Sequence, residues 1–253
     1  MRLRAAAALL LGLGAGTGLL ACGGSADQAP PAPAGAITAG SSIGKGSIAG
    51  RVLFRGTPPA RRPIAMSGEA SCHKPDGGAL SEDLIVNPDG TLRNVYVHVV
   101  SGLGSRVFAP PAPPAEVDQK GCLFVPHLLA VQTNQIILFK NSDPAVHNVH
   151  ARATQNVAFN VSMSGQGRTA RRYFAKPEVV PIRCDIHAWM AGFIAVGDNP
   201  FQAVTGDGGS FSLDGLPAGE YRIEAWHEKL GTTRQTVTLA DGERRDLSFT
   251  LGP

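Results

Sequence analysis

The chain has 253 residues, of which 43% are hydrophobic and only 6% aromatic, which is enough for one large or two modest domains. Its 31 glycines and 19 prolines favour short strands joined by many turns over long helices. The 23 basic and 20 acidic residues nearly balance. There is therefore no electrostatic basis for binding nucleic acid or an anionic membrane surface, and we expect no nucleic-acid partner.

Residues 1–21 are typical of a secretory signal peptide. Arg2 and Arg4 precede the apolar run AAAALLLGLGAGTGLL. The run closes with LLAC, which resembles the lipobox of bacterial lipoproteins. That resemblance implies cleavage before Cys22, lipidation of Cys22, and a lipid anchor in a bacterial membrane on the periplasmic or outer-surface side. The alternatives are an ordinary signal with a chance cysteine or an uncleaved anchor.

The next segments predict a tether followed by strands. Residues 22–45 are rich in alanine, proline, glycine and serine, which indicates a flexible tether. Within residues 46–120, apolar residues alternate in GSIAGRVLF and again in NVYVHVV, which predicts two strands. The proline-rich stretch 108–118 predicts a stiff loop.

Residues 121–199 and 200–253 each predict an all-β unit. The first unit has short apolar runs, among them LFV, LLAV, QIILFK and AGFIAV, separated by turn signals at the spacing of a β-sandwich. The second has alternating runs around the turns DGG and ADGE. About fifty residues form only a marginal core alone, which raises the question of where the missing strands of the second unit lie.

The cysteines divide into a pair and a single thiol. If Cys22 is lipidated, three cysteines remain in an oxidising compartment, where a disulfide is the default. Cys184 has a histidine and a methionine nearby, whereas Cys72 and Cys122 form no such cluster. We therefore predict a Cys72–Cys122 disulfide and a free thiolate at Cys184. His73 is an objection, because an adjacent Cys-His pair also binds metals.

The stretch RCDIHAWM contains Cys184, His187 and Met190. Thiolate, imidazole and thioether together favour a soft metal ion, copper above all, and methionine is a poor ligand for zinc. A second imidazole is expected from HNVH, from either His147 or His150, because residues three apart in a strand face opposite sides. Two imidazoles, a thiolate and a weak axial methionine form a blue-copper electron-transfer centre. The alternative is that these side chains simply fill a core.

The stretch FVPHLLAVQTNQIILFKNSDPAVHNV resembles the matching part of plastocyanin-type cupredoxins. The sequence C-x2-H, followed by a methionine and the strand AGFIAV, resembles their C-terminal ligand loop. The resemblance implies a cupredoxin Greek-key β-sandwich over residues 121–199 with a mononuclear type 1 copper site. It also implies that Asn148 hydrogen-bonds to the cysteine loop and holds the site rigid. It assigns the copper ligands as His147, Cys184, His187 and Met190.

The ligand loop departs from the family in one respect. Two residues separate His187 from Met190, fewer than in plastocyanins, which implies a displaced or more strongly bound methionine. This spacing also resembles the binuclear copper site of cytochrome oxidase, but that site needs a second cysteine that the loop lacks. Trp189 is interpreted either as a lid over the loop or as part of an exposed apolar patch at the His187 edge, where partners dock.

Other histidines and one aromatic cluster are assigned structural roles. We expect His127 near the sandwich surface and His98 packed in a strand. The sequence AWHEKLG contains Trp226, His227 and Glu228, which we interpret as a strand end and not as the lining of a second pocket.

The segment VTGDGGSFSLDGLPAGEYRIEAW resembles the carboxypeptidase regulatory-like, transthyretin-like sandwich, and GSIAGRVLFRGTPP resembles its opening strand. The hypothesis is a copper domain inserted into this sandwich, with residues 46–120 supplying its first part and 200–253 its last. Insertion is tolerated where the insertion points lie close together at a surface. The alternative is that residues 46–120 extend the cupredoxin sheet. In both cases the predicted fold class is all-β, with two β-sandwiches.

Function is predicted from the metal site and the anchor. We expect a membrane-anchored copper protein that carries one electron, and not an enzyme, because catalytic motifs such as GxSxG, HExxH or a P-loop are missing. The expected partner is a redox protein such as a cytochrome, a dehydrogenase or another copper protein. The alternatives are a copper-binding or delivery protein without a redox partner, and a metal-free structural or interaction module.

Overall fold

A computed structural model describes residues 28–66, 69–72 and 78–253. The predicted signal peptide, Cys22 and His73 lie outside these ranges. The described chain is built from strands and turns, which confirms the all-β class, and none of it forms a helix with the length and apolarity needed to cross a membrane.

The described residues form seventeen strands. The first nine are β1 (Gly46–Phe54), β2 (Tyr96–Ser101), β3 (Ala115–Gln119), β4 (Phe124–Val125), β5 (Leu128–Gln132), β6 (Ile137–Asn141), β7 (His147–Ala151), β8 (Phe159–Met163) and β9 (Thr169–Arg172). The other eight are β10 (Glu178–Arg183), β11 (Ala191–Gly197), β12 (Gln202–Val204), β13 (Ser210–Leu216), β14 (Gly219–His227), β15 (Gly231–Leu239), β16 (Arg244–Asp246) and β17 (Phe249–Leu251).

These strands form two sandwiches, each made of two sheets over one core. The outer sandwich combines the sheet β13-β1-β16, with β17 also paired to β1, and the sheet β12-β2-β14-β15. The inserted sandwich combines the sheets β5-β11-β10-β7-β8 and β4-β3-β6-β9. A small third cluster, built around Tyr96, Leu128 and Ala195, packs strands of the two sandwiches against each other.

The outer sandwich is assembled from both ends of the chain. Strand β1 pairs with β13, β16 and β17, and β2 lies between β12 and β14. Strands β3 to β11 all belong to the inserted sandwich. The N-terminal strands therefore supply the surface that the short C-terminal unit needs to bury its apolar face, which is the arrangement that the insertion hypothesis describes.

The inserted sandwich begins before the predicted boundary at residue 121. Strand β3 starts at Ala115 and pairs in parallel with β6, so it overlaps the predicted loop over residues 108–118. The prolines end just before this strand, and Val117 and Gln119 are fully buried in it. Prolines dominate the sequence pattern here, whereas burial against β6 decides the structure.

Part of the predicted tether contacts the outer sandwich. Ile37 forms an isolated bridge with Phe108, in which Ile37 donates to the carbonyl of Val107 and accepts from the amide of Ala109, each at 2.8 Å. Ile43 packs against the same core. The apolar residues of this segment therefore fix its second half against the protein, although its composition is that of a linker.

A glycine in β1 allows a close backbone approach. Ile48 and Val52 are fully buried on one face of the strand, and Gly50 lies between them. A Cβ atom built on Gly50 would lie 1.8 Å from the carbonyl oxygen of Leu247, whose amide donates to the carbonyl of Ala49 at 2.8 Å. The glycine of the I-x-G-x-V pattern is therefore required by the neighbouring chain.

We expect Gly50→Ala to lower the free energy of unfolding by at least ~1–3 kcal/mol, the usual cost of overpacking a core. The backbone of Leu247 must move to admit the added methyl group. Gly206→Ala is the matched control, since a Cβ there meets no atom within 4 Å. Urea denaturation of both variants measures the difference. Equal stability of the two would contradict the close approach of β1 to Leu247.

Candidate metal centre

Sheet topology brings the predicted ligands to one end of the inserted sandwich. Strand β10 ends at Arg183, and β11 begins at Ala191, so the ligand loop spans residues 184–190. Strand β10 also pairs with β7, with Arg183 opposite His150. Strand β7 begins three residues earlier, at His147, which therefore lies beside the loop.

Three side chains converge at this point: His147, Cys184 and His187. The Nδ1 atoms of the two histidines lie 2.9 Å apart, and the Cys184 Sγ atom lies 3.9 Å from Nδ1 of His187. The two imidazole rings meet edge to face, with centroids 4.8 Å apart. One donor atom from each residue lies within 4.8 Å of the others, which places the three donors around a common point.

These separations fit one metal ion. With metal–nitrogen bonds of about 2.0 Å and metal–sulfur bonds of about 2.3 Å, two nitrogens on one ion lie at most ~4.0 Å apart, and nitrogen and sulfur at most ~4.3 Å. The observed 2.9 Å and 3.9 Å fall inside both limits. The three residues are at most 3% exposed, so an ion between them would be shielded from water.

Met190 closes the ligand loop and is fully buried. Its amide donates to the carbonyl of His187 at 2.8 Å, and its carbonyl accepts from the amide of Cys184 at 3.1 Å. These two bonds fold the short His-x2-Met segment back on the cysteine. The loop thus holds Met190 in the same buried cluster as Cys184.

Asn148 bonds to the cysteine loop, as predicted. Its Oδ1 accepts from the Asp185 amide at 2.7 Å, and its Nδ2 donates to the Asp185 carboxylate at 2.9 Å. Asn160 of β8 donates to the same carboxylate at 2.7 Å. Asn148 on β7 therefore fixes the residue next to Cys184 through two bonds.

Asp143 fixes the first imidazole and was missed by sequence reasoning. Its carboxylate accepts from Nε2 of His147 at 3.1 Å and from the amides of Gly121 and Cys122 at 2.7 and 2.8 Å. Because a carboxylate only accepts, Nε2 of His147 donates to Asp143, and Nδ1 is the ring nitrogen that faces the cluster. The available signal was an acidic residue four positions before His147, in a segment whose composition is that of a polar turn.

The environment favours the thiolate form of Cys184. Burial is the largest single influence and raises its pKa, but hydrogen bonds from His147 and from backbone amides, including that of Asn148, outweigh it and lower the pKa overall. Burial lowers the pKa of His187, assisted by the neighbouring charge of His147. A deprotonated thiol beside a neutral imidazole is the state that binds a metal cation.

His150 lies outside the cluster. Its side chain is 36% exposed and pairs with the Asp185 carboxylate at 3.0 Å, whereas His147 is fully buried. The alternation of β7 thus turns the two histidines to opposite sides. Of the two candidates, the structure brings His147 to the cysteine.

The disulfide Cys72–Cys122 is confirmed, with Cα atoms 5.6 Å apart, and Cys184 is the free cysteine among the described residues. The disulfide adjoins the cluster, because Cys72 Sγ lies 4.0 Å from Nε2 of His187. Trp189 donates its indole N–H to the Cys122 carbonyl at 3.1 Å and packs on the His187 ring at 5.0 Å. The disulfide therefore supports the ligand loop from outside.

A cavity of about 440 Å³ opens beside the ligand loop. Trp189 lines it, together with His127 and Glu228, whose side chains hydrogen-bond to each other. The segment is a strand end leading into a turn, as interpreted from the sequence, since β14 ends at His227, but Glu228 of that turn also lines this cavity. Trp226 lies outside the cavity lining and packs on Phe193 at 5.3 Å. Strand pairing had to be known before these distant residues could be placed together.

The C-terminal part of the chain matches a known family. The profile of the carboxypeptidase regulatory-like domain matches residues 194–252. The comparison with curated protein sequences found no match. Among solved structures, a copper-containing nitrite reductase from Thermus scotoductus SA-01 is 24% identical with a TM-score of 0.33, over 40% of this chain and 25% of the other. This chain thus spans only a quarter of that enzyme.

Two cupredoxins are matched over nearly their whole length. A purple cupredoxin from Nitrosopumilus maritimus is 18% identical with a TM-score of 0.29, over 33% of this chain and 99% of the other. A reduced, Cu(I) form of an amicyanin variant is 20% identical with a TM-score of 0.32, over 40% and 98%. At this identity and TM-score, these likenesses carry no argument about the metal centre.

Removing the disulfide should destabilise the protein. The two cysteines are 50 residues apart in sequence. For a loop of that length, chain entropy gives a loss of about 4 kcal/mol in the free energy of unfolding of Cys72→Ser/Cys122→Ser. Urea denaturation of the metal-free protein measures it, with reduced wild-type protein as the control. A loss below ~1 kcal/mol would show that the disulfide constrains the unfolded chain much less than the loop entropy predicts.

His227 should make stability depend on pH. Its side chain is 1% exposed, and burial, assisted by the charges of His127 and Lys229, lowers its pKa from 6.5 to about 4. The unfolded chain therefore binds this proton more readily than the folded protein. The stability contributed by neutral His227 is complete above pH 6.5 and is lost as the pH falls toward 4.

Wild-type protein should lose stability as the pH falls from 6.5 to about 4, because buried His227 resists protonation. In His227→Gln this loss should be smaller by about 3 kcal/mol, at ~1.36 kcal/mol per pKa unit. Urea denaturation at several pH values gives the two curves. Parallel curves would contradict a neutral, buried His227.

Proposed function

We propose that the protein binds one copper ion through His147, Cys184 and His187, with Met190 as a weak fourth ligand, and carries one electron. The observation that carries this proposal is the convergence of two Nδ1 atoms and one thiol in a buried site. The copper ion would supply the redox change between Cu(II) and Cu(I). The protein would supply a fixed set of donors.

The donor set favours copper over zinc. Two imidazoles and one thiolate suit either metal, but a buried methionine in the same loop favours the softer ion. Asp143 is a carboxylate beside the first imidazole, and it bonds to the nitrogen that faces away from the cluster. It therefore orients His147 and does not compete as a ligand.

The fixed position of the ligands favours electron transfer over delivery. Asp143 holds His147, Asn148 holds the residue after Cys184, and two backbone bonds close the loop at Met190. A donor set held in this way changes little between oxidation states, which suits rapid electron transfer. A delivery protein needs ligands that open for exchange, and these are at most 3% exposed.

Location and partner are also proposals. Lipidation at Cys22 would anchor the protein to a bacterial membrane on the periplasmic or outer-surface side. An oxidising compartment agrees with the Cys72–Cys122 disulfide. The proposed partner is a redox protein, such as a cytochrome, a dehydrogenase or another copper protein, and no substrate is converted.

Copper titration tests the proposal. We expect protein lacking residues 1–22 to bind Cu(II) one-to-one, with an intense thiolate-to-copper band in the visible spectrum and a type 1 EPR signal. Cys184→Ser should abolish the band, because the sulfur donor is lost. His150→Gln is the matched control and should leave the band unchanged, since His150 lies outside the cluster.

Each other outcome identifies an alternative function. Stoichiometric binding without the band would favour a copper-delivery protein. Absence of stoichiometric binding would contradict a copper site and favour a structural module, in which Cys184→Ser alters only packing.

A further inference from the structure

None of the proposed copper ligands reaches the protein surface. His147 and Met190 are fully buried, and Cys184 and His187 are each 3% exposed. Electron transfer through protein weakens steeply with distance, so the rate depends on which group links a ligand to solvent. The neighbours of the ligands therefore identify the route.

The outer edge of His187 is covered. Its Nε2 atom lies 4.0 Å from Cys72 Sγ and 4.0 Å from a carboxylate oxygen of Glu69. Both residues come from the segment that the Cys72–Cys122 disulfide ties to the inserted sandwich. A second stretch of chain therefore lies over the Nε2 edge of His187.

Trp189 connects His187 to an open cavity. Its ring lies 5.0 Å from the imidazole ring, at an angle of 36°. The indole N–H bond to the Cys122 carbonyl, at 3.1 Å, fixes its orientation. The side chain is half-buried and lines the cavity of about 440 Å³. It is thus a conjugated ring in contact with a buried ligand on one side and solvent on the other.

We propose that Trp189 is the group through which electrons pass between the copper site and the surface, at the cavity and not at the His187 edge. This inference rests on the proposed copper function. It assigns Trp189 a role in the rate of electron transfer, and it leaves the ligands and their geometry as described.

Stopped-flow oxidation of the full Cu(I)-loaded protein by tris(phenanthroline)cobalt(III) tests the proposal. One electron passes from Cu(I) to Co(III), and the flat aromatic ligands of the complex can contact an indole. Trp189→Leu should lower the second-order rate constant about tenfold, the change that ~1.4 kcal/mol produces. Trp189→Phe keeps a ring and should retain most of the rate. The copper spectrum and reduction potential of each variant should stay unchanged.

Two matched variants control for general effects. Trp226→Phe changes the other tryptophan, which packs on Phe193 outside the cavity lining, and should leave the rate unchanged. Ala65→Trp fills the cavity from an exposed position without touching a ligand, and should slow the reaction. If Trp189→Leu fails to fold, Ala65→Trp still tests the route.

Fluorescence of the metal-free protein gives a readout that does not depend on copper. In Trp226→Phe, Trp189 is the remaining tryptophan. The cobalt complex should quench the emission of Trp189, because its ring faces the open cavity. The variant Ala65→Trp/Trp189→Phe/Trp226→Phe carries its one tryptophan at the cavity mouth, and its quenching provides the comparison. Emission of Trp189 that resists quenching would contradict access through the cavity.

The results that would overturn the Trp189 route differ from the result that would refute the copper centre. Wild-type rates in Trp189→Leu and Ala65→Trp would overturn the proposal. So would slowing by Glu69→Gln or Ile186→Ser with no effect at the cavity, because electrons would then leave by the His187 edge or by the 54% exposed Ile186. Absence of the thiolate-to-copper band in wild-type protein would instead refute the proposed electron-transfer copper centre itself.

Discussion

Hydrogen bonding between β7 and β10 is the constraint on which the candidate metal centre depends. The strands pair at Ile182 with Ala151 and at Arg183 with His150. Beyond these pairs the chain leaves β10 and enters the ligand loop, and β7 begins at His147. Hydrogen bonds between the asparagine after that imidazole and the residue after the thiol extend the contact where the backbone ladder has ended. Without this junction, the thiol and the first imidazole would belong to separate parts of the sheet.

A second chain segment, which contains Cys72, borders the candidate centre and packs into the core of the inserted sandwich. The disulfide places Cys72 against His187, and Cys122 contributes its amide to Asp143 and its carbonyl to Trp189. The disulfide thus supports both imidazoles: Cys72 contacts His187, and Cys122 donates to Asp143, which holds His147. The outer sandwich flanks this segment along the chain, because β1 precedes it and β2 follows it. Domain insertion and site construction are therefore parts of the same architecture.

The sequence allowed the residues of the candidate site and the main strands to be predicted, because both are local signals. Alternation identifies β1, and C-x2-H with a nearby methionine identifies the loop. The contacts of Asp143 and Glu69 with the imidazoles depend on how distant segments pack, and spacing along the chain does not contain that information. Strand β3 was missed for a related reason, since its five residues form a strand by burial against β6.

X-ray absorption of the copper-loaded protein tests the proposed centre most directly, since it reports the atoms bound to the metal. We expect one short copper–sulfur distance from Cys184 and two copper–imidazole distances, with the short sulfur contribution absent in Cys184→Ser. A first coordination sphere of nitrogen and oxygen alone in wild-type protein would contradict a centre built by His147, Cys184 and His187.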